Sequence, residues 1–153
     1  MQNLSGADAA INSWNDKYHF DFWRPWNAIR RAGEDNNPAT VADPAWSPLF
    51  SAPYPEYPSG HLSLDGAHVH VLRMFFPDAP AGGFSITSKS TLIQATDPTT
   101  RSFDSFSQAL GEIIEARIWA GLHFRTADVQ GEVLGRSVAG YMAAHYFQPV
   151  GNH

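Results

Sequence analysis

Arg117 is the residue whose charge fits its predicted surroundings least well. Steps of four and three positions connect it to the apolar residues of one helix face, which are Phe106, Leu110, Ile113 and Ala120. A guanidinium on that face would be buried, and a buried charge without a partner costs much of the net stability of a domain. An anionic group must therefore face Arg117. The sequence leaves two candidates open, an Asp or Glu from a neighbouring helix and a bound oxyanion.

His123 follows Arg117 by six positions, with Gly121 between them. In a continuous helix the two side chains would point about 120° apart. Because a glycine commonly ends a helix, the chain is predicted to turn at Gly121, and both side chains can then converge on one site. A histidine just after a helix end is also a common capping or packing residue, so this second interpretation stays open.

A further group of chemically useful residues stands where another helix is predicted to begin. Pro58, Ser59, Gly60 and His61 follow one another. Serine is a natural N-cap, and the free amides of the first turn, that of Gly60 among them, attract anions. A glycine lets an oxyanion approach the backbone, and an imidazole beside it can exchange a proton near neutral pH. The alternative is an ordinary helix cap with a hydrogen-bonded histidine.

A third basic segment lies upstream, where Lys17 precedes Arg24 by seven positions. The ammonium is a mobile point charge, and the guanidinium is a planar fork that suits two oxygens of one tetrahedral anion. Aromatic residues surround the pair: Tyr18, Phe20, Phe22 and Trp23. That setting disfavours a pair that is wholly solvated.

Helical patterns account for most of the chain and determine where these side chains lie. We predict helices at about residues 8–14, 25–32, 59–76, 104–122 and 126–146, the last one capped by the Thr126 hydroxyl. Residues 84–92 alternate enough for a short extended piece, and the proline-rich stretch 33–58 is predicted to be a long ordered loop. Strands contribute almost nothing, so the predicted fold class is all-α, with residues 1–153 as a single domain.

Composition excludes several classes of function. The chain of 153 residues has a formal net charge of −5, which argues against nucleic acid as the main partner. It has no cysteine, so thiolate metal sites and thiol nucleophiles are excluded. We see no signal peptide and no run of about 18 apolar residues, which predicts a soluble protein without a membrane span. Its cellular location stays unknown.

Taken together and in order, the three basic segments resemble the active-site signature shared by vanadium-dependent haloperoxidases, bacterial class A acid phosphatases and type 2 phosphatidic acid phosphatases. That signature reads Lys, six residues, Arg-Pro; then Pro-Ser-Gly-His; then Ser-Arg, five residues, His, three residues, Asp. The corresponding positions here are residues 17–25, 58–61 and 117–123. The third motif departs from the signature twice. Ala116 replaces the Ser, and Ala127 stands at the position of the acid, which comes one place late as Asp128.

The wider context looks like the haloperoxidase branch. The stretches FWRPWNAIRRAGEDNNPATVADPAWSPLF, PEYPSGH and ARIWAGLHFR are similar to parts of soluble bacterial vanadium-dependent haloperoxidases. The resemblance covers about residues 8–146. Known members are considerably longer, with additional helices before the first motif. It therefore implies the motif-bearing C-terminal part of a helical bundle that is incomplete in this chain, and either a homo-oligomer or association with a missing N-terminal part.

The resemblance also implies a role for each motif residue. The oxygens of vanadate, or of phosphate in the same site, would be bound by Lys17, Arg24, Ser59, Gly60 and Arg117. His123 would coordinate vanadium in a haloperoxidase, and in a phosphatase it would attack phosphorus and form a phosphohistidine. His61 would be the acid–base residue, acting on bound peroxide or on the leaving alcohol.

Three functions follow from these roles. The favoured one is a vanadate-dependent haloperoxidase that oxidises halide with hydrogen peroxide to hypohalous acid. The second is a phosphomonoesterase of the acid phosphatase type, acting on a phosphomonoester. The third is a non-catalytic remnant that binds an oxyanion, which the length of the chain and the displaced Asp128 keep open. A lipid phosphatase is disfavoured because that branch carries membrane-spanning helices.

Overall fold

A computed structural model describes residues 1–88, 100–146 and 148, and it is predominantly helical. The helices are α1 (Gln2–Phe20), α2 (Pro25–Arg30), α3 (Gly60–Phe75), α4 (Phe106–Trp119) and α5 (Arg125–His145), with one turn of 3-10 helix at Ala32–Glu34. Two short strands, β1 (Phe84–Thr87) and β2 (Thr100–Phe103), pair in antiparallel register. The prediction of an all-α helical bundle is confirmed, with this small hairpin added to it.

Several predicted boundaries need correction. The first helix is longer than residues 8–14, so Lys17 lies within its last turn. The last helix begins at Arg125 with Phe124 as its N-cap, which places Thr126 inside the first turn and not in the capping position. Ser59 is the N-cap of α3 as predicted, but its side chain makes no capping hydrogen bond. The predicted extended piece at 84–92 forms a strand as far as Thr87, and its positions 89–92 lie outside the described residues.

Small residues at every fourth position let the three longest helices pack closely. The buried positions of α1 are Ser5, Gly6, Ala9, Ser13 and Lys17, and those of α5 include Ala127, Gly131, Gly135 and Ala139. A Cβ atom added to Gly131 would lie 2.5 Å from the carbonyl oxygen of Ser59, so the backbones of α3 and α5 are in direct contact. Helices with small residues on the shared face can approach this closely because no side chain separates them.

The helix directions bring three helix ends together. In α1 and α3, Gly6 lies against His68 whereas Trp14 lies against Gly60, so these helices are antiparallel. In α3 and α5, Gly131 lies against Ser59 and Gly135 against Ser63, so they are parallel. The last turn of α1 therefore meets the first turns of α3 and α5. Because helix N-termini carry a partial positive charge, this end of the bundle favours anions.

One face of α1 remains open to solvent. Leu4, Ile11 and Tyr18 repeat at intervals of seven residues, and they are 53%, 68% and 64% exposed. Trp14 lies on the same side at 43% exposure. Residues spaced in this way form a continuous stripe along a helix, so α1 presents an apolar stripe that the described residues leave largely exposed. In the described part of the chain, none of the helices has the length and hydropathy needed to cross a bilayer.

Candidate oxyanion site

Lys17 is completely buried at the end of α1 and organises the loop in front of α3. Its Nζ donates to the carbonyl oxygens of Pro55, Glu56 and Pro58 at 3.1, 3.0 and 2.6 Å. An ammonium has three protons, so all of its donors are used in this arrangement. Burial, followed by the positive charge of Arg24, lowers the pKa of Lys17 to about 8.

Arg24 occupies the N-cap position of α2, because Pro25 disfavours α geometry at the residue before it. Its guanidinium is buried and donates to the carbonyl oxygens of Tyr54, Leu122 and Pro55 at 3.0, 2.8 and 3.3 Å. The Tyr54 ring lies 4.9 Å from the Arg24 Cζ, a distance at which the ring face attracts the cation. Arg24 thereby ties the loop before α3 to the segment that precedes His123.

His123 lies just beyond α4, where Gly121 turns the chain with a φ of 73°. The imidazole is buried and both nitrogens have close neighbours. Nδ1 lies 2.9 Å from the Glu56 Oε1, and Nε2 lies 3.3 Å from the Arg24 Nη1. The pKa of His123 is lowered to about 2, mainly by burial and next by the positive charges of Arg24 and Lys17. The ring is therefore neutral throughout the physiological range.

Glu56 is the residue of this site that the sequence analysis missed. Its carboxylate is 1% exposed, and Oε1 accepts the backbone N–H of Phe124 at 2.9 Å in addition to its contact with His123. A signal was present in PEYPSGH, where an acid stands two positions before Pro58 in a stretch with no other acid. A carboxylate next to a helix start is common in loops, and for that reason the signal was not distinctive.

The start of α3 places Ser59, Gly60 and His61 at the same end of the bundle. The Ser59 Oγ is buried and has no hydrogen-bond partner among the described residues. A Cβ atom on Gly60 would lie 2.6 Å from the Trp14 ring, so close packing of α1 requires this glycine independently of any ligand. His61 is exposed overall, yet desolvation of its ring, then the charges of Arg117 and Lys17, lower its pKa.

Arg117 lies in the last turn of α4, half-buried, and its Nε is buried without a hydrogen-bond partner in the described chain. None of the ion pairs formed by the described residues includes it. Asp128 is buried nearby, but both of its oxygens also lack hydrogen bonds. Ser59 is close enough to favour the ionised carboxylate of Asp128 without reaching hydrogen-bond geometry. Burial lowers the pKa of Arg117 and the charge of Asp128 is the largest effect that opposes it, so an acid faces Arg117 without forming an ion pair with it. The Nε that lacks a partner leaves a donor for a bound oxyanion as well.

The electrostatic balance of the site also favours an anion. Three permanent or near-permanent cations, Lys17, Arg24 and Arg117, each lower the pKa of His123. Burial raises the pKa of Glu56 to about 7 and that of Asp128 to about 6, so near neutral pH these acids do not fully offset the cations. A tetrahedral oxyanion would supply the missing negative charge and accept from buried donors that lack acceptors.

The predicted site residues thus occupy one end of the bundle. The structure gathers Lys17, Arg24, Ser59, Gly60, His61, Arg117 and His123 from α1, the N-cap of α2, the start of α3 and the end of α4. His68, which shares a helix face with His61, instead packs against Gly6 of α1. Within the described residues, no group of three His, Asp or Glu side chains is arranged to hold a bare metal ion.

Comparison with known proteins identifies the family. The family model described as the VCPO second helical-bundle domain matches residues 1–152. The chain belongs to this family. A curated relative of this VCPO-type chain is the vanadium chloroperoxidase of Curvularia inaequalis, which is 30% identical over 166 residues. That alignment covers 82% of this chain and 27% of the relative.

Solved structures agree with the VCPO assignment. The crystal structure of the first bacterial vanadium-dependent iodoperoxidase matches with a TM-score of 0.73 and 33% identity, covering 94% of this chain and 32% of that one. The apo-type bacterial vanadium-dependent chloroperoxidase matches with a TM-score of 0.72 at 21% identity, over 94% of this chain and 36% of that one, which is a likeness of fold. The VCPO-type chain spans about a third of the length of these structures.

The donors present suit the oxyanion that this family's name implies. Vanadate is tetrahedral and anionic like phosphate, and the site offers it surplus positive charge, the buried Ser59 Oγ and Arg117 Nε, and a neutral imidazole. Lys17 fits less directly, because a vanadate oxygen could bind its Nζ only by replacing one of three backbone carbonyls.

Proposed function

We propose that this chain carries the vanadate site of a vanadium-dependent haloperoxidase, which oxidises halide with hydrogen peroxide to hypohalous acid. The observation that carries this proposal is the contact between the Arg24 Nη1 and the His123 Nε2. Arginine only donates hydrogen bonds, so Nε2 must present its lone pair, and it does so within a cluster of cations. An imidazole lone pair among cations is what a histidine ligand to an oxyanion centre requires.

The residues have distinct tasks in this proposal. Arg117 and Arg24 would neutralise the vanadate oxygens, and the Ser59 hydroxyl and the Gly60 amide would donate to them. The His123 Nε2 would hold the vanadium centre. His61 would deliver and accept protons through its imidazole nitrogens. When bound, vanadate supplies the Lewis acidity that activates hydrogen peroxide toward halide.

Halide oxidation by the vanadate-loaded chain tests the proposal. With orthovanadate and hydrogen peroxide we expect oxidation of iodide to triiodide and bromination of a phenolic dye in the presence of bromide. His123→Ala should reduce either rate about 100-fold or more, because it removes the ligand itself and not only its support. His145→Ala, at the exposed end of α5, is the matched control and should retain the rate. The absence of vanadate-dependent turnover with both halides would contradict the proposal.

A phosphomonoesterase remains the second candidate because the same lone pair could attack phosphorus. The His123 Nε2 would form a bond to phosphorus as the ester P–O bond breaks, His61 would protonate the leaving alcohol, and water would then release phosphate. Hydrolysis of a nitrophenyl phosphate by vanadate-free protein, lost in His123→Ala, would favour this function. Phosphate binding without either turnover would identify a non-catalytic oxyanion-binding protein.

We further propose that the chain works in association with a second helical unit, either another copy or additional polypeptide. The apolar stripe on α1, formed by Leu4, Ile11, Trp14 and Tyr18, supports this proposal because exposed stripes of this kind mark contact surfaces. Residues 1–153 are proposed to fold as one domain within such an assembly.

A further inference from the structure

The Glu56 carboxylate holds two consecutive residues at the candidate site. Its Oε1 lies 2.9 Å from the Nδ1 of His123 and accepts the N–H of Phe124 at 2.9 Å. One oxygen thus fixes both the ring and the backbone that carries it. Rotation of the imidazole away from this position would leave a buried N–H donor without an acceptor, which is costly.

The neighbours of the imidazole determine its tautomer. Arg24 donates from Nη1 to Nε2 at 3.3 Å, so Nε2 carries the lone pair. In a neutral ring the proton then sits on Nδ1, where it is donated to Glu56. Glu56 and Arg24 therefore act from opposite sides of the ring, and together they direct the Nε2 lone pair toward the cations of the site.

Glu56 is itself held firmly by the basic residues of the site. Its backbone N–H donates to the Phe22 carbonyl at 2.9 Å, and its carbonyl accepts from Lys17 at 3.0 Å. Arg24 binds the carbonyls of Tyr54 and Pro55 immediately before it. The loop that carries the carboxylate is thus anchored to α1 and to the N-cap of α2.

The acid of the third motif does not reach His123. Ala127 occupies the motif position, and Asp128 is buried with no hydrogen-bond partner for either oxygen among the residues described. The carboxylate of Glu56, which precedes His123 by 67 positions, lies instead at hydrogen-bond distance from the Nδ1 of His123.

We propose that Glu56 is the positioning residue of His123, which it orients from the loop before α3. The proposal rests on the proposed function, in which the Nε2 of His123 binds the oxyanion centre. A positioning residue must have a side chain long enough to reach His123. A residue that acts only through its charge needs the charge and not that side-chain length.

Two substitutions separate reach from charge. Glu56→Gln keeps an acceptor oxygen at the same distance and removes the charge, whereas Glu56→Asp keeps the charge and shortens the side chain by one methylene. The first measurement is the ¹⁵N shift of each ring nitrogen of His123 in protein without vanadate. We expect a protonated Nδ1 and an unprotonated Nε2 in the wild type and in Glu56→Gln. In Glu56→Asp we expect values averaged between two tautomers, because a ring that is no longer held at Nδ1 also moves out of its 3.3 Å contact with Arg24.

Turnover and phosphate binding complete the test. Glu56→Asp should lose about 10–100-fold in vanadate-dependent iodide oxidation, as is typical for the partner of a metal-bound histidine, and Glu56→Gln should lose less. Affinity for inorganic phosphate, measured by calorimetry, should not fall by more than about threefold in either variant, since neither removes an anion donor and Glu56→Gln removes a negative charge from the site. Glu112→Asp, whose carboxylate pairs with Arg101 away from the site, is the matched control.

The outcomes distinguish this proposal from the proposed function. Wild-type nitrogen shifts in Glu56→Asp, a greater loss of turnover in Glu56→Gln than in Glu56→Asp, or parallel loss of phosphate binding and turnover would each overturn the positioning role. If the wild type oxidises no halide while the nitrogen shifts change as expected, the haloperoxidase function fails and the role of Glu56 in orienting His123 stands.

Discussion

At the scale of single residues, the chemistry of the candidate site depends on keeping one imidazole neutral. His123 is buried beside Arg24 and Lys17, and these conditions disfavour a second proton on the ring. Only an unprotonated nitrogen can bind vanadium or attack phosphorus. In the proposed site the surplus of cations would therefore serve two purposes, since it would attract the oxyanion and keep the histidine able to bind it.

We predict that His123 does not take up a proton between pH 8 and pH 4 in the anion-free protein, because burial and neighbouring cations lower its pKa to about 2. In the unfolded chain the same histidine is protonated near its ordinary pKa of about 6.5. Between these values the unfolded state binds the proton, so the contribution of His123 to the free energy of unfolding falls as pH decreases below about 6.5. The pKa of Glu56 is raised to about 7, so between its ordinary value and about 7 the folded state binds the proton. The contribution of Glu56 to the free energy of unfolding therefore rises as pH decreases through that range.

Because these two effects oppose each other, the measurement should observe the ring itself. Resonances of the His123 imidazole should show no titration step above pH 4, whereas protein unfolded in urea should show one near pH 6.5. Inorganic phosphate should move the folded-state pKa upward, since an anion offsets the neighbouring cations. A titration step of the His123 ring near pH 6 in the folded, phosphate-free protein would show that its burial is incomplete.

At the scale of secondary-structure elements, glycines on helix faces bring the site together. The start of α3 and the start of α5 can share one site only because Gly131 and Gly135 allow backbone contact with Ser59 and Ser63. The Ser59 N–H donates to the Ala127 carbonyl at 3.0 Å, which fixes the two helix starts relative to each other. The spacing of these helices is therefore part of the site geometry.

We predict that Gly131→Ala lowers the free energy of unfolding by about 1–3 kcal/mol, because the added methyl would lie 2.5 Å from the Ser59 carbonyl oxygen and force the helices apart. Gly140→Ala, in the same helix, is the matched control, since nothing lies within 4 Å of its Cβ position. That change should be neutral or stabilise the protein by up to about 1 kcal/mol. Urea unfolding of both variants measures the difference, and equal effects would contradict the role assigned to the contact between α3 and α5.

At the scale of the whole molecule, the site connects parts of the chain that are far apart in sequence. Lys17 lies in the last turn of α1, Ser59 is the N-cap of α3, and Arg117 lies in the last turn of α4. Holding the positive charges of Lys17, Arg24 and Arg117 together without an anion is unfavourable, and desolvation of each group increases that cost. An oxyanion bound among these elements should therefore stabilise the entire fold.

We predict that inorganic phosphate at 100 times its dissociation constant raises the free energy of unfolding by about 2.7 kcal/mol, because it binds the folded state alone. Arg117→Met should weaken phosphate binding about 10–100-fold, corresponding to one charge-assisted hydrogen bond. Arg73→Met, which removes an arginine paired with Asp78, should leave that affinity unchanged. Thermal unfolding with phosphate, compared with chloride at the same ionic strength, provides the measurement. Equal stabilisation by both anions would indicate general salt effects and no specific site.

The sequence by itself determined the parts of this protein that follow local rules. Pro58 and Ser59 indicate the start of α3, and Gly121 indicates the turn that follows α4. The alternation of four and three positions places Arg117 on the inner face of its helix. These signals lie within a few residues of the feature that they predict. They were enough to indicate the all-α fold, and the order of the three motifs, through its resemblance to a family signature, selected the side chains proposed for the site.

Only the tertiary structure decided how those side chains are held. The contacts of Glu56 with His123 and with Lys17 join residues 67 and 39 positions apart, and no local pattern marks such pairs. They arise because small residues bring α1, α3 and α5 together at one end and force the intervening loop around Lys17. Local propensity acts over a few residues, whereas the position of a buried carboxylate depends on the packing of the whole bundle.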